Sequence, residues 1–114
     1  MPRESLGEFE QLVLLAILQL ASAGEEDVYG VPIVDEIEQR TGRQVSRVAV
    51  YIALRRLEQK GLVRTWMGDP TAERGGKARR CVKVTRTGVQ ALHDSRRAMD
   101  QMWRGLDPRP EKLR

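Results

Sequence analysis

A single cysteine, Cys81, stands in this 114-residue sequence, so no internal disulfide and no cysteine-based zinc site can be assembled from it. Its strand-like surroundings mark it as a small buried hydrophobe, at home in a reducing compartment. Histidine is equally scarce: His93 alone, beside Asp94, lacks a second ligand or a nucleophile to serve. Aromatic residues make up 4% of the chain, and no phosphate-binding glycine loop, dinucleotide glycine pattern or carboxylate pair in a cleft context is present. These absences argue against an enzyme, and no metal or organic cofactor is expected. The apolar run from Leu12 to Leu18 is far shorter than the about 20 residues that a membrane helix needs. Arg3, Glu4 and Glu8 are followed by no cleavable apolar leader, so a cytoplasmic location without a membrane partner is expected. The length allows one domain with one modest core.

What is present is segregated charge. The chain carries +4 at neutral pH, but Arg43 to Arg86 holds twelve basic and three acidic residues, a net +9. Met1 to Gly42 holds two basic and nine acidic residues, a net −7. Positive charge gathered on one unit is an electrostatic footprint for a polyanion, whereas an even scatter would serve only solubility.

That basic block contains a helix with its own start and stop. Ser46 is a good N-cap, Lys60 suits the negative end of the dipole, and Gly61 fits a left-handed closing residue. Val50, Leu54 and Leu57 recur at i, i+4 and i+7 and form one inward stripe. Val48, Tyr51, Ile52, Arg55, Arg56 and Gln59 then fall on the far side. A helix packed on one side and offering Arg, Tyr and Ser on the other suits a major groove.

Two strand-like runs follow, Leu62 to Gly68 and Arg79 to Thr85, joined by a turn-rich stretch with Gly75-Gly76. They predict a β-hairpin whose long tip carries Arg74 and Lys77, with Arg79 and Arg80 at its edge. Helix plus basic hairpin is a winged helix-turn-helix, with the wing lying along a phosphate backbone or in a minor groove.

Upstream, Gln11 to Ala23 predicts a helix ended by Gly24, with acids in its first turn and almost no polar face. It is expected to be buried on two sides, one in the domain core and one against a partner subunit. Tyr29-Gly30-Val31-Pro32 opens a second helix to about Arg40, closed by Thr41-Gly42, with Ile33, Val34 and Ile37 inward, and with Tyr29 either a core staple, the favoured reading, or a phosphate contact from the helix start. After the hairpin, Thr85 or Thr87 caps a last helix to about Gly105. Val89, Leu92, Arg96, Met99, Trp103 and Leu106 repeat there at alternating spacings of three and four, a pairing seam interrupted by Arg96. The expected organisation is a DNA-binding unit over 1–86, a dimerisation helix over 87–106 and a disordered tail over 107–114.

With these pieces in place, the sequence resembles the PadR family of transcriptional regulators. The resemblance rests on Leu6-Gly7-Glu8-Phe9-Glu10, Tyr29-Gly30, Ala49-Val50-Tyr51, Leu54-Arg55-Arg56-Leu57-Glu58, Lys60-Gly61-Leu62-Val63, Glu73-Arg74-Gly75-Gly76-Lys77, Val84-Thr85 and Gly88. It implies a mostly α fold with a β-hairpin wing (α+β), and a homodimeric repressor on an inverted-repeat operator, often upstream of its own gene. It also implies dimerisation through the final helix with help from the first, places Tyr51 at the recognition-helix tyrosine and places Gly75-Gly76-Lys77 on the wing. The single short final helix resembles that of the small members, with no large C-terminal effector domain.

The helix 46–60 and the wing 68–79 are thus the expected DNA-binding surface, with double-stranded DNA and a second copy of the chain as partners. Arg47 and Arg55 are candidates for base or phosphate contacts. Ser46, Tyr51 and Arg56 are candidates for backbone contacts, and Arg74, Gly75, Gly76, Lys77 and Arg79 for the wing. Leu14, Leu18, Leu92, Met99, Trp103 and Leu106 are the candidate dimer contacts. Met99, Met102 and Trp103 either pack the seam or line an interface pocket for a planar apolar effector. The competing reading is a winged helix that binds protein and has no specific DNA partner.

Overall fold

In a computed structural model, residues 6–25, 28–68 and 80–112 are described. They form helices α1 (Glu8–Ser22), α2 (Val31–Thr41) and α3 (Arg47–Gln59), strands β1 (Val63–Met67) and β2 (Arg80–Val84), and helix α4 (Arg86–Trp103). Three helices, an antiparallel hairpin and a trailing helix make the α+β winged-helix architecture that the sequence predicts. No helix among the described residues is long and apolar enough to cross a membrane.

Local signals set most boundaries. The Ser46 hydroxyl accepts from Ala49 N at 3.2 Å and starts α3. At the other end Gly61 adopts φ +75°, Leu62 N donates to Leu57 O at 2.9 Å and Gly61 N donates to Glu58 O at 3.0 Å. This pair of bonds satisfies the last carbonyls of the helix and turns the chain directly into β1. The Thr85 hydroxyl starts α4 by accepting from Gly88 N at 3.0 Å and also donates to the Gly61 carbonyl at 2.8 Å. The last helix ends at Trp103, two residues short of the expected Gly105, which itself takes φ +82°.

The core gathers Val13, Leu14 and Ile17 of α1, Ile33 and Ile37 of α2, Val50, Leu54 and Leu57 of α3, and Val63, Val82 and Val84 of the hairpin. The strands pair from Val63 opposite Val84 out to Met67 opposite Arg80, so the hairpin is anchored by valines at one end and exposed at the other. From α4 only Gly88 and Leu92 are buried, and every residue from Arg96 to Lys112 is exposed. This helix therefore runs off the domain, and the chain measures 60 × 36 × 24 Å.

One site expectation is corrected here. Leu14 was expected at a dimer surface, yet it is 0% exposed among its own chain's core residues and has no face left for a partner. The solvent-facing leucine of α1 is instead Leu15, at 45% exposure. Periodicity could not separate the two, because α1 is apolar at nearly every position.

Candidate nucleic-acid interface

The turn between α2 and α3 fixes the presentation of the basic helix. Gly42 closes α2 in the left-handed region, Arg43 N donates to Thr41 Oγ1 at 3.1 Å, and Val45 N donates to Glu38 Oε2 at 2.9 Å. With Val50, Ala53, Leu54 and Leu57 buried, Val48, Tyr51, Ile52, Arg55, Arg56 and Gln59 stand exposed as the helical spacing predicts, and Arg47 is exposed with them. Ser46 lies at the head of this face, its hydroxyl engaged in the cap. Arg74, Gly75, Gly76, Lys77 and Arg79 fall outside the described residues.

Between the outer face of α3, the start of α2 and the outer end of β2 lies an open polar cleft of about 630 Å³. Tyr29, Val31, Pro32, Tyr51, Arg55, Glu58 and Arg80 line it. Tyr29 and Tyr51 stack there with ring centroids 5.8 Å apart and planes at 27°. The Arg80 guanidinium carbon lies 4.6 Å from the centroid of the Tyr29 ring. Tyr51 reaches this place because residue 30 has no side chain: a Cβ on Gly30 would come within 2.8 Å of the Tyr51 hydroxyl, and φ there is +81°. Tyr29 is expected from the sequence in the core, with a phosphate contact as the alternative. It is half-buried against the core, and its ring also carries Arg80. Sequence reasoning thus missed Arg80 and Tyr29 as members of one cluster with Tyr51; the adjacent Tyr29-Gly30 pair was the only available signal.

On the opposite side, α1 and α4 border an apolar groove lined by Leu15, Leu18, Val89, Leu92 and Met99, with His93 and Arg96 at its edge. Of the candidate dimer contacts, Leu92 is buried, Leu18 is half-buried, and Met99, Trp103 and Leu106 are 59%, 56% and 65% exposed. Met99 lines the groove, whereas Met102 and Trp103 are not among its lining residues.

One ion pair perturbs its members at the edge of the basic block. Arg43 Nη1 lies 2.7 Å from Glu8 Oε1, and this hydrogen bond and the opposite charge hold the Glu8 carboxyl below its ordinary range and Arg43 above its own. Among the described residues no three His, Cys, Asp or Glu side chains gather as metal ligands.

Comparison with known proteins places this geometry. The model of the transcriptional regulator PadR-like family matches residues 17–94, from mid-α1 to mid-α4. A search of curated proteins returns no match. A PadR-family transcriptional regulator structure from Eggerthella lenta is similar at 24% identity and TM-score 0.63, over 86% of this chain and 81% of that one. A transcriptional regulator from Clostridium thermocellum is similar at 18% identity and TM-score 0.64, over 82% and 84% of the two chains. Bacillus subtilis PadR in complex with operator DNA is similar at 17% identity and TM-score 0.60, over 93% of this chain and 53% of that one. At these identities the structures establish the fold, while the family match spans well over half of the sequence. The chain belongs to the PadR-like family of transcriptional regulators.

Proposed function

We propose that this protein is a sequence-specific DNA-binding regulator, a homodimeric repressor that engages an inverted-repeat operator through α3 and the wing. The observation that carries the reading is the outward face of α3. Arg47, Tyr51, Arg55 and Arg56 are exposed together on a helix whose other side is the core. Arg47 and Arg55 are two turns apart, a spacing at which both reach base edges or flanking phosphates from one groove. The family assignment and the operator-bound Bacillus subtilis PadR of similar fold support the same reading. Homodimerisation is inferred from the apolar groove between α1 and α4 and from Met99, Trp103 and Leu106, which continue it with exposed side chains. A second copy would bury that seam and set two α3 helices for the two halves of an operator.

Fluorescence anisotropy with duplex DNA from upstream of the protein's own gene and with a scrambled duplex, across several salt concentrations, tests the reading. Tight binding to the first, with a steep salt slope and a large preference over the second, is expected. Equal affinity for both duplexes, and for sequences selected from a random library, would remove the claim of specificity. No binding to any duplex would favour a protein-binding winged helix.

A further inference from the structure

Two side-chain contacts, one from each strand, tie the hairpin to the helices beside it. On β1, the Thr65 hydroxyl donates to the Glu58 carboxylate of α3. On β2, Arg80 lies over Tyr29, which stacks on Tyr51 of α3. The second tie sits at the outer end of the hairpin, one residue beyond the buried Cys81. Val63, Val82 and Val84 hold its inner end in the core, while the outermost pair is Arg80 opposite Met67, and Met67 is exposed. A two-stranded ribbon of five residues per strand is marginal without such support. The backbone also accommodates the stack, since Gly30 leaves space that any larger residue would take from the Tyr51 ring.

Resting on the DNA-binding reading above, we propose that Arg80 is a positioning residue that acts through the Tyr29 ring to fix the wing against the recognition helix before DNA arrives. A cation held over an aromatic face is attracted by the ring quadrupole without surrendering its charge. The guanidinium ties β2 to the start of α2, and the Tyr29–Tyr51 stack extends the tie to α3. Wing and helix then meet DNA as one body, and the ordering cost of aligning them is met on folding instead of on binding. Tyr51 in this arrangement is more than a backbone contact, because its ring is the end of the chain of contacts that reaches the wing.

The test has two arms, so that failure of this proposal can be told from failure of the DNA-binding reading. In the free protein, NMR of the Arg80 side chain is expected to show δ protons shifted upfield by the Tyr29 ring. The shift should persist in Tyr29→Phe and vanish in Tyr29→Leu. Ordinary Arg80 shifts in the wild type would overturn the proposal whatever the protein binds.

With DNA, the probe is the tightest duplex recovered from a randomised library. Arg80→Gln and Tyr29→Leu should each weaken binding about two- to fivefold, and the double variant no further, because either change severs the same tie. Tyr29→Phe should restore wild-type affinity. Additive losses, with the salt slope lowered only in Arg80→Gln, would overturn positioning in favour of a direct phosphate contact. Wild-type affinity in Tyr29→Leu would overturn it too. A wild-type protein that binds no duplex would instead overturn the DNA-binding reading and the docking role with it, while the NMR arm still reports whether the stack forms.

Discussion

Lys60 Nζ donates to both carboxylate oxygens of Glu10, each at 3.0 Å, joining the C-terminal end of α3 to the first turn of α1. Glu10 is buried at 9% exposure, and its Oε1 also accepts from Gly7 N at 3.1 Å. Fifty positions separate the partners, so the bond ties the chain's first helix to the end of α3. Removing one partner of a buried pair leaves the other desolvated and unbalanced. Lys60→Met should therefore destabilise the fold by about 2 kcal/mol, given that the pair is only partly shielded from water. Urea denaturation is the check, and pairing it with Glu10→Gln in the same chain should recover part of the loss.

Gly88 is required by space. A Cβ there would sit 2.3 Å from the Leu62 carbonyl oxygen and 2.7 Å from a Val84 methyl, so backbone must move to admit it. Gly88→Ala should cost about 3 kcal/mol, despite the better helix propensity of alanine. Thermal unfolding of the variant measures this. An unchanged or raised midpoint would mean that α4 does not start against Leu62 as described.

The two outer arginines of α3 should matter for DNA and not for folding. Arg47 and Arg55 are exposed, and changing both to Ala should leave the melting temperature within a few degrees while abolishing operator preference. Each contact is worth about 1–3 kcal/mol of discrimination if it reads a base edge. Intact operator affinity in the double variant would refute the assignment.

Self-association should respond to α4 beyond the domain. Met99 and Trp103 are exposed four residues apart, on one face of the helix. For the proposed homodimer, Met99→Lys with Trp103→Glu should shift the mass in light scattering at micromolar concentration from dimer to monomer, with the winged domain still folded. A dimer that survives both changes would move the interface elsewhere.

The Glu8–Arg43 pair gives stability a pH dependence of known sign. Its folded carboxyl is held below the ordinary value of 4.5, so the unfolded chain binds protons more readily. The contribution is present above that ordinary value and is lost as pH falls through the folded one. Wild type should thus exceed Glu8→Gln slightly in urea midpoint at pH 7, with the gap closing in the acid range and narrowing in salt. A gap that widens on acidification would contradict the pairing.

The sequence by itself determined the parts that local chemistry controls. Ser46, Gly61 and Thr85 set the ends of α3 and α4 through bonds to their own neighbours, and the stripe of Val50, Leu54 and Leu57 fixed which side of α3 faces outward. The basic block and the hairpin signal were equally local. Only the tertiary structure decided what depends on residues distant in the chain. Leu14 and Leu15 are alike in sequence, and only the packing of α2, α3 and the hairpin against α1 buries one and exposes the other. Glu10 and Lys60 each had a plausible local use at a helix end, until folding brought them within 3.0 Å. Arg80 read as one more positive charge, and Tyr29 as one more core residue, because nothing in their spacing shows that one ring lies under the other's guanidinium. Helix periodicity and capping act over a few residues, whereas burial and pairing are set by whichever segments the fold brings together.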